Sequence, residues 1–321
     1  MAFKIAGTGG ALPSFVLDNK ALSAMVDTSD EWITTRTGIN TRRIITNDET
    51  LLSLSAQAAN EALRDAGCKA ESLDLIICTT ILGDNITPNL SSMIQKEIGA
   101  ACHTFDVNAA CSGFVFGLEI AAAYFRAKMA KRILLVSAEQ LSNITDYGDR
   151  ATCILFGDGA GAVVLEPADN LLAIKLLTQG DDSILKITRH SGNFPHNGGA
   201  KKPSDQKLYM NGQDVYKFAV NCLVQMVGDA FKETGLNQDD IDYFLPHQAN
   251  MRIIEAARTR LGISKEKVIS NITECGNTSS ACIPLMLADH ARRGTFKRGD
   301  KLLLAAFGGG MAGGAAIIKW D

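Results

Sequence analysis

The sequence lacks paired cysteines, long apolar runs and an excess of positive charge. Its eight cysteines are scattered over 321 residues without a Cys-x-x-Cys pair, so we predict neither a metal site nor a disulfide framework. No apolar run is long enough to predict a membrane-spanning helix. The net charge of −3 gives no support for nucleic-acid binding. The first residues, MAFKIAGTGGALP, lack the basic and then apolar layout of a secretion signal, so we expect a cytoplasmic protein.

The composition is that of an ordinary globular protein. Hydrophobic residues make up 46% of the chain and charged residues 21%. A chain of this length can bury a sizeable core, either as two domains or as one large duplicated unit.

Two stretches half a chain apart resemble each other and favour the duplicated unit. EALRDAGCKAESLDLII at residues 61–77 aligns without a gap with DAFKETGLNQDDIDYFL at residues 229–245. KRILLVSA at residues 131–138 resembles KLLLAAF at residues 301–307, and each precedes a glycine-rich stretch that predicts a hairpin-like strand pair. Shared α/β patterning could produce the same likeness, but we prefer an internal duplication whose halves pack about a pseudo-twofold axis.

The halves are predicted at residues 1–168 and 169–321. The first opens with a short strand at residues 4–9 that runs into a glycine turn. A helix follows, with a capping-box pattern at residues 28–31 and Gly38 at its end. Residues 169–212 are polar and turn-rich, and we interpret them, with residues 189–199 at their centre, as a connector and a rim of the pocket.

Cys111 occupies the most suggestive position in the chain. The surrounding FDVNAACSGFVFG, residues 105–117, predicts a strand, a tight turn and the start of a helix. Backbone N–H groups and the helix dipole at such an elbow favour a thiolate, so we expect a lowered pKa for Cys111. The same N–H groups could stabilise the oxyanion of a thioester that the sulfur attacks.

Two polar residues of the second half follow predicted strands in the same way. His247 comes directly after a strand at residues 242–245, and a helix is predicted at residues 251–261. Asn277 lies in a turn between a strand predicted at residues 268–272 and the next helix, as an apparent equivalent of the Cys111 elbow. Because polar groups gather at the carboxyl ends of parallel strands, all three side chains are expected in one central pocket.

A cysteine, a histidine and an asparagine suit the joining of two thioesters. The sulfur accepts an acyl group, and the second thioester becomes a carbon nucleophile by losing CO₂. The enolate oxygen then needs two hydrogen-bond donors, which an imidazole N–H and a carboxamide supply. Phe307 is placed to form a dry wall near the departing carboxylate, and the glycines after it could offer a further N–H.

The motifs ACSGF, PHQAN, GNTSSA and AFGGG, at Cys111, His247, Asn277 and Phe307, together resemble β-ketoacyl-acyl carrier protein synthase III, a thiolase-fold condensing enzyme. DTSDEWITTRTGI and DRATCILFGDGAGA add to the likeness, which covers nearly the whole chain. The resemblance implies an α/β, thiolase-like, duplicated five-layer αβαβα fold. It also implies a homodimer that condenses an acyl-CoA primer with malonyl-acyl carrier protein, with coenzyme A thioester as substrate and no cofactor.

The resemblance further implies roles for individual residues. The N–H groups of Cys111 and Gly309 would form the first oxyanion hole, and His247 with Asn277 the second. Trp32, which shares a helix face with Arg36, would sandwich the adenine of coenzyme A against Arg150. The remaining implied contacts are the coenzyme A tunnel residues Thr28, Arg36, Gly212 and Asn250, and the carrier-docking residues Lys217, Arg252 and Arg260.

Two positions depart from patterns within that family. Thr259 stands where a second basic docking residue can occur, so a weaker carrier-binding patch is expected. Thr87 stands where members that prefer very short primers can place a bulky aromatic at the dimer-facing floor of the acyl pocket. We therefore predict that the protein tolerates acyl chains longer than acetyl.

Three alternatives remain at this stage. The first is another thiolase-fold activity, although no cysteine follows Cys282 to serve a degradative thiolase, Asn277 replaces the second histidine of elongating synthases, and polyketide synthases of the plant type are usually longer. The second is a cysteine hydrolase, in which histidine would deprotonate the sulfur. The third is a scaffold protein that keeps the fold without the chemistry.

Overall fold

The computed structural model describes residues 2–46, 48–188 and 208–321, within which 13 strands and 10 α-helices are assigned. The predicted centre of the connector, residues 189–199, lies outside the described residues. The strands are β1 Lys4–Ala11, β2 Phe15–Asp18, β3 Thr41–Ile44, β4 Leu75–Thr79, β5 His103–Val107, β6 Ile133–Gln140, β7 Asp158–Glu166, β8 Leu171–Thr178, β9 Leu185–Ile187, β10 Leu208–Met210, β11 Tyr243–Pro246, β12 Lys301–Gly308 and β13 Ala312–Lys319.

The helices are α1 Asn19–Ser23, α2 Asp30–Thr37, α3 Leu51–Asp65, α4 Leu90–Ile98, α5 Gly113–Arg126, α6 Arg150–Cys153, α7 Gly212–Thr234, α8 Met251–Leu261, α9 Ile272–Cys275 and α10 Cys282–Arg292. Across the described ranges, no helix is both long and apolar enough to cross a membrane.

Two sheets of matching topology form the frame of the protein. The first has the strand order β1-β7-β6-β4-β5, in which β6, β4 and β5 are parallel and β7 is antiparallel to both of its neighbours. The second has the order β11-β12-β13-β8, in which β11 and β12 are parallel and β13 is antiparallel to both of its neighbours. Strands β8, β13, β12 and β11 therefore correspond to β1, β7, β6 and β4 of the first sheet, as an internal duplication predicts.

Hydrophobic contacts arrange these sheets in five layers. Helices α3 and α4 pack on the outer face of the first sheet. Helices α5 and α10 fill the space between the two sheets, where Phe114 and Met286 are buried among strand residues of both. Helices α7 and α8 cover the outer face of the second sheet. The layer order is therefore αβαβα, which confirms the predicted fold class.

Equivalent residues of the two halves also make equivalent bonds. Asp74, just before β4, accepts from the backbone N–H of Arg132 at 2.9 Å. Asp242, just before β11, accepts in the same way from Lys301 at 2.7 Å. Each carboxylate ties the start of one strand to the start of its parallel neighbour. The sequence alignment of residues 61–77 with 229–245 therefore reflects a shared structural unit. The division at residues 168 and 169 itself stays a prediction.

Some local predictions were wrong. The strand β1 continues through Gly9 and Gly10 to Ala11 instead of turning. Helix α2 is capped by Ser29, whose Oγ accepts from Trp32 N, rather than by Thr28. The predicted strand at residues 268–272 is only an isolated bridge between Val268 and Phe244, because the chain turns into α9 at once.

The predictions for the connector and the hairpins also need correction. Residues 171–178 form β8, an edge strand of the second sheet, so the predicted connector begins with a strand. Each predicted hairpin-like pair is a single strand, β7 or β13, that pairs antiparallel with the strand preceding it in the chain. The glycines of these strands serve close packing in the sheets.

Glycines in β1 allow α3 to lie directly on the strand. A Cβ atom on Gly9 would lie 2.1 Å from the carbonyl oxygen of Ala58 and 2.5 Å from the backbone nitrogen of Ala62. These are backbone atoms of a helix and cannot move without shifting the whole outer layer. Gly9, which the sequence pattern placed in a turn, is therefore required for the packing of α3 on β1.

We predict that Gly9→Ala destabilises the protein by about 3 kcal/mol or more, because overpacking displaces α3 from the sheet. Gly228→Ala is the matched control, since Gly228 lies within α7 with no atom near its missing Cβ. The control should stabilise the helix by about 0.5–1 kcal/mol. Urea denaturation of both variants measures the two effects. Equal midpoints would contradict the packing role of Gly9.

Candidate active site

One cavity of about 1230 Å³ opens at the carboxyl ends of the parallel strands. Its lining includes the predicted trio of Cys111, His247 and Asn277, and also Phe307 and Gly309. Cys111 follows β5 of the first sheet, and His247 follows β11 of the second. The duplication therefore brings side chains from both halves to one space, as the strand ends predict.

The Cys111 elbow is built on close backbone contact. After β5, a single 3₁₀ turn at residues 110–112 leads into α5, and Ala110 adopts the left-handed conformation with φ of 47°. The glycines after Phe307 lie against this turn, since a Cβ on Gly308 would lie 2.7 Å from the backbone nitrogen of Cys111. The glycine run therefore reaches the backbone that carries the sulfur.

The expectation of a lowered pKa for Cys111 was wrong in direction. Burial raises the pKa of the Cys111 thiol to about 12, and a hydrogen bond with the side chain of Ser279 opposes this only in part. The charge of Glu139 nearby also raises the pKa. Loss of water around the sulfur thus outweighs the backbone N–H groups, and the resting group is a neutral thiol.

His247 is held on several sides in a dry environment. Its backbone N–H donates to the carbonyl of Ala305 at 2.8 Å, and its ring packs edge-on against Phe307 at a centroid distance of 5.1 Å. Its Nδ1 lies 3.1 Å from the sulfur of Cys282. Burial lowers the pKa of His247 to about 3, so the imidazole is neutral at physiological pH. A neutral imidazole donates through one nitrogen only.

Asn277 has a fixed backbone and a fixed amide orientation. Its N–H donates to the carbonyl of Leu155 at 2.8 Å, and its own carbonyl accepts from Gly157 at 3.0 Å. Its Oδ1 accepts from the backbone N–H of Ser279 at 2.8 Å. Because the oxygen is engaged in the turn, the Nδ2 donor is the group that Asn277 can offer to the cavity.

The two elbows are equivalent, as the sequence predicted. Asn108 Oδ1 accepts from Ala110 N at 3.1 Å in the first turn, as Asn277 does from Ser279 in the second. Ala110 and Ser279 both have positive φ, 47° and 50°. Asn277 is thus the counterpart of Asn108, rather than of Cys111.

A carboxylate that sequence reasoning missed joins the second elbow to the first half. Glu139, 1% exposed, accepts from Ser279 Oγ at 3.0 Å, Ser280 Oγ at 2.6 Å and Ile81 N at 3.0 Å. The serines belong to the second half and Glu139 to the first. Burial raises the pKa of Glu139 to about 7 despite these bonds. An acidic residue at the end of the apolar run ILLVSA was the available signal.

The residues implied for coenzyme A lie together at the cavity mouth. Arg36, Gly212 and Asn250 line the cavity. The guanidinium carbons of Arg36 and Arg150 lie 5.4 and 5.1 Å from the ring centroid of Trp32. Thr28 Oγ1 is buried without a hydrogen-bond partner. The structure therefore gathers an aromatic ring, two cations and an unused hydroxyl near one opening.

The residues implied for carrier docking lie on α7 and α8. Arg252 lines the cavity mouth, and Lys217 forms an exposed ion pair with Asp214 at 3.2 Å. Arg260 donates to Asn221 Oδ1 at 2.9 Å, which joins α8 to α7. All three cations are exposed on the same outer layer.

The implied acyl-pocket residue is not part of the cavity lining. Thr87 is exposed beside Ile86, which does line the cavity and is itself 70% exposed. Among the described residues, no group of three histidine, cysteine or acidic side chains is arranged to hold a metal ion.

We predict a pH dependence of stability that originates at Glu139. The folded protein raises its pKa from 4.5 to about 7, so its contribution to the unfolding free energy is full below about pH 4.5 and is lost as the pH rises through 7, by about 3 kcal/mol. Glu139→Gln cannot titrate, and the serine hydroxyls can rotate to accept from its amide. Its unfolding free energy should therefore decline less between pH 5 and 7.

Urea denaturation at a series of pH values measures this difference. Glu97→Gln, exposed on α4, is the control and should follow the parent curve. A parallel curve for Glu139→Gln would contradict the assignment.

Comparison with known proteins agrees with this geometry. The family description 3-oxoacyl-[acyl-carrier-protein (ACP)] synthase III matches residues 105–180, and the description of its C-terminal part matches residues 231–320. The chain is 43% identical to the β-ketoacyl-[acyl-carrier-protein] synthase III of Clostridium acetobutylicum, over 99% of this chain and 98% of that protein.

Solved structures extend the likeness to the backbone. The 3-oxoacyl-[acyl-carrier-protein] synthase III of Aquifex aeolicus VF5 superposes with a TM-score of 0.92 at 40% identity, covering 99% of this chain and 100% of that one. The priming β-ketosynthase from the R1128 polyketide biosynthetic pathway superposes with a TM-score of 0.91 at 33% identity, covering 100% and 96%. On these likenesses, the chain belongs to the β-ketoacyl-[acyl-carrier-protein] synthase III family of thiolase-fold condensing enzymes.

Proposed function

We propose that Cys111, His247 and Asn277 carry out the decarboxylative condensation of an acyl-CoA primer with malonyl-acyl carrier protein, giving a 3-oxoacyl-acyl carrier protein. Membership of the family makes the chain an acyl-transferring condensing enzyme that acts at the initiation of fatty-acid synthesis. The observation that carries the residue assignment is the single cavity lined by all three side chains.

In the first half-reaction, the Cys111 sulfur attacks the carbonyl carbon of the acyl-CoA. The thiol proton leaves with the departing sulfur, so the products are acyl-Cys111 and free coenzyme A. Backbone N–H groups of Cys111 and Gly309 stabilise the tetrahedral oxyanion. The contact between the glycine run and the Cys111 backbone supports this role.

In the second half-reaction, malonyl-acyl carrier protein loses CO₂ and its thioester becomes an enolate. The N–H of neutral His247 and the Nδ2 of Asn277 donate to the enolate oxygen. Phe307, which packs on the His247 ring, keeps water away from the carboxylate and so favours its loss. The enolate carbon attacks acyl-Cys111, the new carbon–carbon bond forms, and the Cys111 thiolate leaves and regains a proton.

The ionisation states favour condensation over cysteine hydrolysis. A hydrolase needs a histidine basic enough to take the thiol proton. Here burial raises the pKa of Cys111 to about 12 and lowers that of His247 to about 3. Proton transfer from sulfur to this imidazole is therefore strongly unfavourable, whereas hydrogen-bond donation by the neutral ring is not.

Coenzyme A is proposed to enter past Trp32. Adenine would insert between the indole and Arg150, whose guanidinium now lies over that ring, and Thr28, Arg36, Gly212 and Asn250 would line the tunnel. The exposed cations Lys217, Arg252 and Arg260 would dock the acidic carrier protein. Arg252 lines the cavity, and all three cations are exposed on the layer of α7 and α8, which suits an acidic partner.

The assembly is proposed to be a cytoplasmic homodimer. Leu82 and Ile86 are 44% and 70% exposed and line the cavity, so a partner subunit that covers them would also close the acyl pocket. Thr87 would then lie at the floor of that pocket. Because threonine is small, primers longer than acetyl would fit. A specialised polyketide-type priming reaction is the second candidate, favoured by the match to the R1128 ketosynthase.

We predict that the two half-reactions depend on different members of the trio. Cys111→Ala should form no acyl adduct with acyl-CoA, whereas His247→Ala and Asn277→Ala should still be acylated. Each of the latter two should lower decarboxylation of malonyl-acyl carrier protein by about 10²- to 10³-fold, the usual effect of one lost oxyanion donor.

Intact-protein mass spectrometry measures acylation, and release of labelled CO₂ measures decarboxylation. Cys222→Ala, a buried cysteine of α7, is the control and should behave as the parent. A Cys111→Ala variant that still carries an acyl adduct would reject the assignment. Free carboxylic acid in place of a two-carbon-extended product would favour the hydrolase.

We predict that Trp32→Ala raises the KM for acyl-CoA by about 10-fold, because stacking of one base on an aromatic ring contributes about 1–3 kcal/mol. Acylation by a short pantetheine thioester, which has no adenine, should be unchanged. Trp32→Phe keeps a flat ring and should lose less. Initial rates with both substrates separate these outcomes. An equal loss with the two substrates would place the effect in the fold and not in adenine binding.

A further inference from the structure

Cys282, the first residue of α10, contacts the imidazole of His247 on the side away from the cavity. Its sulfur lies 3.1 Å from Nδ1 of His247 and 3.5 Å from the backbone nitrogen of Gln248. Cys282 is fully buried and His247 is 1% exposed. Cys282 is not among the cavity-lining residues, whereas His247 is, so the sulfur and the substrate face different sides of the ring. Nε2 is left as the ring nitrogen that serves the cavity.

The position of one proton on this ring matters for the condensation. A neutral imidazole carries a single N–H, on either Nδ1 or Nε2. If the proton is on Nε2, the ring donates toward the cavity and can stabilise an enolate. If the proton is on Nδ1, the ring presents a lone pair to the cavity and would repel the enolate oxygen. The hydrogen bond made at Nδ1 can fix which nitrogen carries the proton.

We propose that Cys282 is a positioning residue that donates its S–H to Nδ1 of His247 and thereby keeps the proton of the neutral imidazole on Nε2. The proposal rests on the proposed function, since it gives His247 the tautomer that enolate stabilisation requires. It adds Cys282, which lies outside the cavity lining, to the trio that lines the cavity.

The chemistry around the sulfur supports this direction of donation. Burial raises the pKa of Cys282 well above its ordinary value, so the group is a thiol with a hydrogen to donate. The sulfur already accepts from the N–H of Gln248. The opposite tautomer would aim a second N–H at the same weakly accepting sulfur and would leave the thiol hydrogen without Nδ1 as its acceptor.

The Gln248 side chain holds this arrangement in place. Its Nε2 donates to the carbonyl of Pro246 at 2.7 Å, and its Oε1 accepts from Ser270 Oγ at 2.6 Å. The Gln248 side chain therefore fixes the loop that carries His247 to the residue before it and to a neighbouring segment. The short distance between Nδ1 and Sγ thus lies in a well-bonded part of the chain.

The experiment combines tautomer assignment with separate half-reaction rates. ¹⁵N-histidine NMR of the full-length protein without substrate should show His247 protonated on Nε2 in the parent and in Cys282→Ser, whose hydroxyl is also a donor. Cys282→Ala should show Nδ1 protonation or a mixture. Cys78→Ala, a fully buried cysteine on the far side of the first sheet, controls for loss of a buried sulfur.

The rates should divide in the same way. Cys282→Ala should lower decarboxylation of malonyl-acyl carrier protein by about 10-fold, because a weakened oxyanion donor is partly lost. Acylation of Cys111 should remain within about twofold, a factor worth only about 0.4 kcal/mol. Cys282→Ser should restore most of the decarboxylation rate.

Three outcomes would overturn the proposal: an unchanged Nε2 tautomer in Cys282→Ala, equal losses in both half-reactions, or no rescue by serine. Failure of the proposed function is a separate result, because the parent protein would then not decarboxylate malonyl-acyl carrier protein although its tautomer could still be read.

Discussion

The carboxylate of Glu139 is the contact on which the geometry of the site depends. It lies near the end of β6 and receives hydrogen bonds from Ser279 and Ser280, which lie in the turn that precedes α10. A buried carboxylate is tolerated only where several donors reach it. The second elbow is therefore held to the first half, and a shift between the halves would deprive a buried acidic group of its donors.

Burial also affects the protonation of the side chains that line the cavity. Burial keeps both Cys111 and His247 neutral, with their pKa values moved in opposite directions. A neutral histidine is a poor base but a good hydrogen-bond donor in a medium of low dielectric. A site that must stabilise an enolate gains from this arrangement, whereas a site that must activate water through an imidazole base loses. Burial therefore suits His247 to hydrogen-bond donation better than to general-base catalysis.

Much of the fold and of the candidate site could be predicted from the sequence, because both follow from local patterns. Apolar runs indicated the strands, and the turns that follow their carboxyl ends indicated Cys111 and His247. Other features arise only when distant segments meet. Gly9 is a glycine because α3 lies on it, and Glu139 became relevant only once the second half supplied its donors. The direction of the pKa shift of Cys111 could not be predicted. The sequence pattern indicates the start of a helix near the sulfur, but it does not indicate how far the sulfur is removed from water.

The two halves share a backbone conformation at the elbows but place different side chains there. Ala110 and Ser279 occupy matching left-handed positions, so the residues after them, Cys111 and Ser280, are structural counterparts. In the first half this position presents a sulfur to the cavity, whereas in the second it presents a hydroxyl to Glu139 at 2.6 Å. Two nucleophiles facing one pocket would compete for the same thioester. The second hydroxyl is engaged with the buried carboxylate. The symmetric frame therefore holds an asymmetric site, with a sulfur that faces the cavity in one half and an anchored hydroxyl in the other.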